Sequence, residues 1–254
     1  NGFEWKSITT ENGIASNNIQ SILLSGSYAW IGTDNGVNKY HIDNKQVEKH
    51  LNQKNGLSSN ITRTLAIDNQ NHLWIGTING VNIYDGNKVS EFETPDSINL
   101  SWVNEISIHE NSVWIGFDYG LLHRTSENIK HYTTENENGL LSNVINDIKT
   151  DGVNVWIATN GGGITRIRDN KFQSFLPENC PQMKSSSFSS LYMSENNELW
   201  AGYNKGVTRF CNEHWTVFQE LNSNKINHSI INEGVWFATD EGLTHNMNSQ
   251  WETL

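Results

Sequence analysis

The chain has 254 residues, of which 35% are hydrophobic and 10% aromatic, with ten Trp, only three Pro and a formal net charge of -11. That charge opposes phosphate backbones, because nucleic-acid binders need basic patches that displace counterions, so nucleic acid and anionic membrane are excluded as partners. No run approaches the ~18 apolar residues of a membrane helix, and no charged-then-apolar leader is read at Asn1; a soluble chain is expected, with any signal peptide removed or outside it.

In chain order, Trp5-Lys-Ser-Ile8 has the pattern of a short outer strand, and a repeated turn motif follows. It reads Trp30-Ile-Gly-Thr-Asp-Asn-Gly36, Trp74-Ile-Gly-Thr-Ile-Asn-Gly80, Trp114-Ile-Gly-Phe-Asp-Tyr-Gly120, Trp156-Ile-Ala-Thr-Asn-Gly-Gly162, Trp200-Ala-Gly-Tyr-Asn-Lys-Gly206 and Trp236-Phe-Ala-Thr-Asp-Glu-Gly242. The spacing of roughly 40 residues is that of one four-stranded propeller blade. Within the second copy the pattern predicts strand A over Ile61–Ile67, a polar turn at Asp68–Asn71, strand B over Leu73–Thr77, a tight turn at Asn79-Gly80, strand C over Val81–Tyr84 and strand D over Val89–Phe92. Asn-Gly turns supply the positive φ that twisted hairpins require. The small residue inside strand B (Gly32, Gly76, Gly116, Ala158, Gly202, Ala238) suits close approach of a neighbouring blade, and the Trp beside it is expected in the core. Helical periodicity is absent.

The fold expected is therefore all-β, a single domain over residues 1–254. It is a six-bladed β-propeller of four-stranded antiparallel blades, its ring closed by a terminal D strand. Two segments compete for that place, Trp5–Ile8 and Trp251–Leu254. The N-terminal one is favoured, because a strand arriving from the far end of the chain closes the ring and covers an open edge.

The string Asn-Gly-Leu-x-Ser-Asn-x-Ile followed by Leu-Trp-Ile-Gly-Thr-x-x-Gly-Val-x-x-Tyr, at Asn55–Tyr84, closely resembles the two-component regulator propeller repeat. The resemblance is specific in the first, second and fourth copies; the third, fifth and sixth keep the Trp-Gly core and lose the Asn-Gly-Leu loop. It implies a bacterial sensor domain, periplasmic or extracellular, found in hybrid histidine kinases and in stand-alone envelope proteins. Kinase, receiver and helix-turn-helix segments are not read in these residues, so signalling is expected to need another part or partner.

Function is sought on the face carrying the B–C turns and D–A connections, because binding residues concentrate on loops held by a rigid scaffold. Asn35, Asn79 and Asn160 are expected there as turn residues. Departures from the repeat are more telling, and they are expected on this same face: Phe117, Tyr119 and Trp102 in the third copy, and Phe188, Tyr203 and Lys205 in the fifth. These six are the candidate ligand-binding residues, since aromatics among polar turns suit a ligand cleft or a protein hot spot; equally, they plug the channel mouth. The partner expected is a small molecule, glycan, peptide or protein.

Catalytic chemistry is thinly represented. The nine His (His41, His50, His72, His109, His123, His131, His214, His228 and His245) are scattered, without metal-site spacing, and neither metal nor cofactor is expected. A lyase or hydrolase built from one residue per blade at the central channel stays open, with Glu105 and Asp147 as its acidic candidates. Cys180 and Cys211 fall at opposite ends of their blade, too far apart for the ~7 Å that a disulfide allows, so two free thiols are expected.

Overall fold

The computed structural model describes residues 6–95, 98–136, 139–194, 196–204, 206–218, 226–231, 235–239, 242–247 and 250–253, the backbone alone at 227–231, 235, 245–247 and 250–253. They fall into two compact units, Asn1–Asn111 and Ser112–Leu254. In the first unit, β1 (Ile19–Ser25), β2 (Tyr28–Thr33), β3 (Gly36–His41) and β4 (Gln46–Leu51) form one antiparallel sheet in chain order. The next sheet holds β5 (Thr62–Ile67), β6 (Leu73–Thr77), β7 (Gly80–Tyr84) and β8 (Val89–Glu91), and β9 (Val103–His109) ends the unit.

In the second unit β10 (Ser112–Phe117), β11 (Gly120–Arg124) and β12 (Ile129–Tyr132) pair in order. Three four-stranded antiparallel sheets follow. The first is β13 (Ile145–Thr150), β14 (Val155–Thr159), β15 (Ile164–Arg168) and β16 (Lys171–Phe175). The second is β17 (Phe188–Met193), β18 (Leu199–Tyr203), β19 (Gly206–Cys211) and β20 (His214–Phe218). The last is β21 (Ile226–Ile231), β22 (Val235–Thr239), β23 (Gly242–Met247) and β24 (Gln250–Thr253).

The fourth place in the last sheet belongs to the C-terminal segment, since β24 pairs with β23. The favoured N-terminal candidate does not take it: Lys6–Ile8 form no strand, and Trp5 lies outside the described residues. A contiguous segment closes a short loop at smaller entropic cost than a strand brought from the other end of the chain.

The repeated residues explain the repeated geometry. Strand B alternates so that its final Thr turns inward, where Thr33, Thr77 and Thr159 are fully buried. There the hydroxyl ties the turn to itself: Thr33 Oγ1 donates to the Gly36 carbonyl at 2.9 Å and accepts the Asn35 N–H at 3.0 Å, and Thr77 does the same with Gly80 and Asn79. A buried polar group is stable only when paired, and this one is. The small residue immediately before it is required by the neighbouring sheet. A Cβ on Gly76 would lie 2.5 Å from Thr64 Cγ2 and 2.7 Å from Val103 Cγ1, and one on Gly116 would lie 2.4 Å from Ile145 Cγ2. The repeat Trp packs beside it: Trp30, Trp74, Trp114, Trp156 and Trp200 are all buried.

The Asn-rich connections cap themselves. Before β5, the Asn52 side chain accepts the Lys54 N–H, Asn55 Oδ1 accepts the Asn52 N–H, Asn60 Oδ1 accepts the Gln53 N–H, and Leu57 is buried beneath. The connection before β17 lacks the Asn-Gly-Leu string yet repeats the plan, with Asn179 Oδ1 accepting the Leu176 N–H, Ser185 Oγ accepting the Ser187 N–H, and Met183 buried in place of leucine. The motif is a packing device that other residues can imitate.

Candidate functional site

Within each unit the B–C turn rests on the connection that enters the following sheet. The Gly36 N–H donates to the Asn60 carbonyl at 2.7 Å and the Trp102 N–H to the Ile78 carbonyl at 2.8 Å; the second unit repeats this with the Gly163 N–H donating to the Ser186 carbonyl at 2.7 Å, while the Asn160 N–H donates to Val144 of the connection entering its own sheet. The turn asparagines serve the scaffold as expected, Asn35 donating to the Ala15 carbonyl and Asn160 accepting from Ser187. His50 and His131 brace the same turns from strand D, donating through Nε2 to the carbonyls of Asn35 and Tyr119.

A bulge recurs near the start of strand A, at Thr62/Thr64, Ile145/Asp147, Phe188/Ser190 and Ile226/His228. Bulges re-aim side chains, and the extra residue here reaches toward the next strand A. Arg63 places its guanidinium 5.9 Å from the Trp102 ring, Asn146 Nδ2 donates to the Phe188 carbonyl at 2.7 Å, and Ser189 Oγ donates to the Ile226 carbonyl.

Trp102 is the one aromatic of this set that the backbone holds in an unusual state. Its φ is 56°, it is 47% exposed, and it stands immediately before β9. A bulky side chain in the left-handed region costs about 1–3 kcal/mol and clusters at functional sites. Tyr119, in the turn between β10 and β11, is 57% exposed. The structure places the other expected residues in the interior. Phe117 and Tyr203 occupy the inward Thr position of strand B, and Phe188 opens β17 opposite Tyr203, their rings meeting edge to face at 5.6 Å. Phe117 stacks on His131 at 5.5 Å. All three are buried, so they offer no surface to a ligand and replace a turn hydrogen bond with ring packing. Lys205 lies outside the described residues.

The acidic candidates are engaged in bracing. Glu105 Oε2 accepts the Thr64 hydroxyl at 3.0 Å from the preceding strand A. Asp147 is buried, one oxygen accepting the Ile148 N–H and Lys149 Nζ, the other the Leu191 N–H, all at 2.7 Å. Among the described residues no group of three His, Cys, Asp or Glu could hold a metal ion, and Cys180 and Cys211 are free thiols.

His123 lies flat on Trp114, ring centroids 3.7 Å apart, and hydrogen-bonds Ser112 Oγ at 2.8 Å. Burial, helped by Lys130, pushes its pKa down to about 4. The folded state then binds fewer protons than the unfolded state, whose His titrates near 6.5, so stability is full above about pH 6.5 and falls toward pH 4. His123→Gln is expected to flatten the urea midpoint against pH across that window; an unchanged slope would remove His123 as its source.

Sheets of four antiparallel strands in chain order, with strand A packing on the next strand A and three of the turns braced by the following connection, define a β-propeller. Residues 55–79 match the two component regulator propeller family. Among solved structures the chain is similar to the extracellular domain of a candidate hybrid two component system from B. thetaiotaomicron. They are 24% identical with a TM-score of 0.83, over 96% of this chain and 35% of that one. It is similar also to the extracellular domain of a candidate one component system from the same organism (20% identical, TM-score 0.77, 95% and 34% covered). A third likeness is PorZ, a bacterial surface component of the type-IX secretion system of Porphyromonas gingivalis (14% identical, TM-score 0.64, 93% and 33% covered). At these identities the likeness is one of fold, and the chain spans about a third of the length of each. No curated protein matches the sequence.

Proposed function

We propose that the chain is a non-catalytic ligand-binding sensor propeller of a bacterial envelope signalling system, periplasmic or extracellular, that takes a small molecule, glycan or peptide on its B–C turns and D–A connections. The observation that carries this reading is Trp102, a half-exposed indole kept in left-handed backbone in the connection that enters β9. Structural economy would place a Gly or Asn there. Tyr119 supplies a second exposed ring in a turn of its own. The enzyme alternative has less to stand on, because both Asp147 oxygens are already held by donors within the chain.

The six repeats are read as six blades of one domain covering residues 1–254. In support, the division between the units falls inside the third repeat, between β9 and β10, whereas a domain boundary is expected in a linker that few contacts cross. The ligand reading is tested by thermal shift against a panel of glycans, metabolites and peptides, repeated on Trp102→Ala and Tyr119→Ala. A hit that raises Tm in the parent chain is expected to weaken by about tenfold or more in Trp102→Ala, the loss typical of a truncated aromatic hot spot. Undiminished binding in both variants would move the site elsewhere.

A further inference from the structure

The strand C residue directly opposite the repeat Trp differs from blade to blade. Lys39 faces Trp30, Ile83 faces Trp74, His123 faces Trp114, Arg166 faces Trp156 and Arg209 faces Trp200. Where it is Arg, the charge lies over the rings and is answered from within the chain. The Arg166 guanidinium sits 5.4 Å from the Trp156 ring, pairs with Glu213 at 2.6 Å and donates to Gln173 at 2.6 Å. Arg209 sits 5.4 Å from the Trp200 ring and pairs with Glu198 at 3.4 Å. A cation over the indole is thus part of the scaffold, and so is its carboxylate.

Lys39 has the cation without the carboxylate. Its ammonium lies 3.7 Å from the centre of the Tyr28 ring and 5.6 Å from that of Trp30, and among the described residues it makes no ion pair. Its cross-strand partner adds to the imbalance. Where the fourth repeat has Gln173 and the fifth has Thr216, the first has Lys49, which donates to the Tyr84 hydroxyl and lies 4.8 Å from the centre of that ring, also without an ion pair among the described residues. Like charges directly opposite each other on a sheet destabilise it. The nearby carboxylate, Glu48, acts on the Tyr28 hydroxyl and pairs with neither lysine. Lys39, Tyr28, Trp30, Tyr84, Ser25 and Asn71 line a cleft of about 260 Å³. It lies beside the β1–β2 and β5–β6 turns, at the end of the sheets opposite the B–C turns.

We propose that this cleft binds a small oxyanion, a phosphate or sulfate group, carried on a body no larger than one ring. The Lys39 ammonium, which lines the cleft, would donate to its oxygens in charge-assisted hydrogen bonds, and Lys49, held on the Tyr84 hydroxyl beside it, would add its field; the bound anion relieves the cross-strand repulsion and supplies the counter-charge that Glu213 and Glu198 give the corresponding arginines. The tyrosine rings would take the ring-sized body. In a chain of net charge -11, these lysines provide the local field that such a ligand needs.

The test is calorimetric titration of the whole chain at low salt with phenyl phosphate, inorganic phosphate and phenol. Both phosphates are expected to bind and phenol is not; tighter binding of phenyl phosphate assigns a ring-borne anion, and equal binding assigns the free ion. Lys39→Met and Lys49→Met should each weaken the phosphate by about tenfold, while Lys54→Met, an exposed cation elsewhere, leaves it unchanged. Without ligand both variants should melt at or above the parent temperature, which confirms that they are folded; if Lys39→Met does not fold, Lys49→Met carries the comparison. Absence of binding by either phosphate, or parental affinity in a folded lysine variant, overturns the proposal.

Discussion

Trp156→Ala lowers the unfolding free energy by about 3–5 kcal/mol in urea titrations followed by far-ultraviolet circular dichroism, the range for truncating a fully buried Trp. Trp156 is 2% exposed and sits in a ring cluster, 4.8 Å from Phe210, 6.0 Å from Phe175 and 6.2 Å from Trp215, the last at 89°. Because Phe210 and Trp215 belong to the next sheet, the cavity opens where two blades meet, and the surrounding strands are fixed by their ladders against collapse. The Arg166 guanidinium also loses one of the rings beneath it, a contact worth about 0.5–2 kcal/mol. Trp156→Phe should recover part of the loss. A cost below about 1 kcal/mol for the alanine variant would mean that the repeat Trp is not what joins the blades.

Gly163→Ala is the second large effect, expected at about 2–4 kcal/mol in the same titration. Gly163 has φ +74°, and a Cβ there would lie 2.1 Å from the Phe175 carbonyl oxygen and 3.1 Å from its carbon. Both are backbone atoms of the adjacent strand D, so the clash cannot be relieved by a rotamer change, and an overpacking cost of about 1–3 kcal/mol adds to the left-handed strain of about 1 kcal/mol. Gly161 provides the comparison. Its φ is +92°, but a Cβ would meet nothing within 4 Å, so Gly161→Ala should cost the strain alone. Equal costs at the two positions would contradict the steric account.

The blades were legible in sequence because their determinants are local. A Trp followed at fixed spacing by a small residue and a Gly turn requires a strand, a close neighbour and a positive φ in that order, and the strands of the second repeat start and stop within about a residue of expectation. The orientation of a ring at the end of a strand was not legible in the same way. Phe117 and Tyr203 stand where other repeats place Thr, and that Thr points inward; reading the departure against the buried hydroxyl would have placed both rings in the core. The cation over the indole was not legible for another reason. Lys39, Arg166 and Arg209 share a place only through cross-strand register with Trp30, Trp156 and Trp200, and the carboxylates that answer two of them come from other turns of the chain. The acidic candidates Glu105 and Asp147 were visible as residue types, but their partners, Thr64 and Leu191, lie on neighbouring strands more than 40 residues away.

The most direct test of a binding propeller is hydrogen–deuterium exchange of the whole chain, with and without a ligand that raises its Tm in the panel. Protection concentrated in the connection entering β9 and in the turn between β10 and β11 is the predicted result, with the A strands around Glu105 and Asp147 unchanged. Protection confined to those A strands, with the Trp102 and Tyr119 segments exchanging as before, would contradict the account.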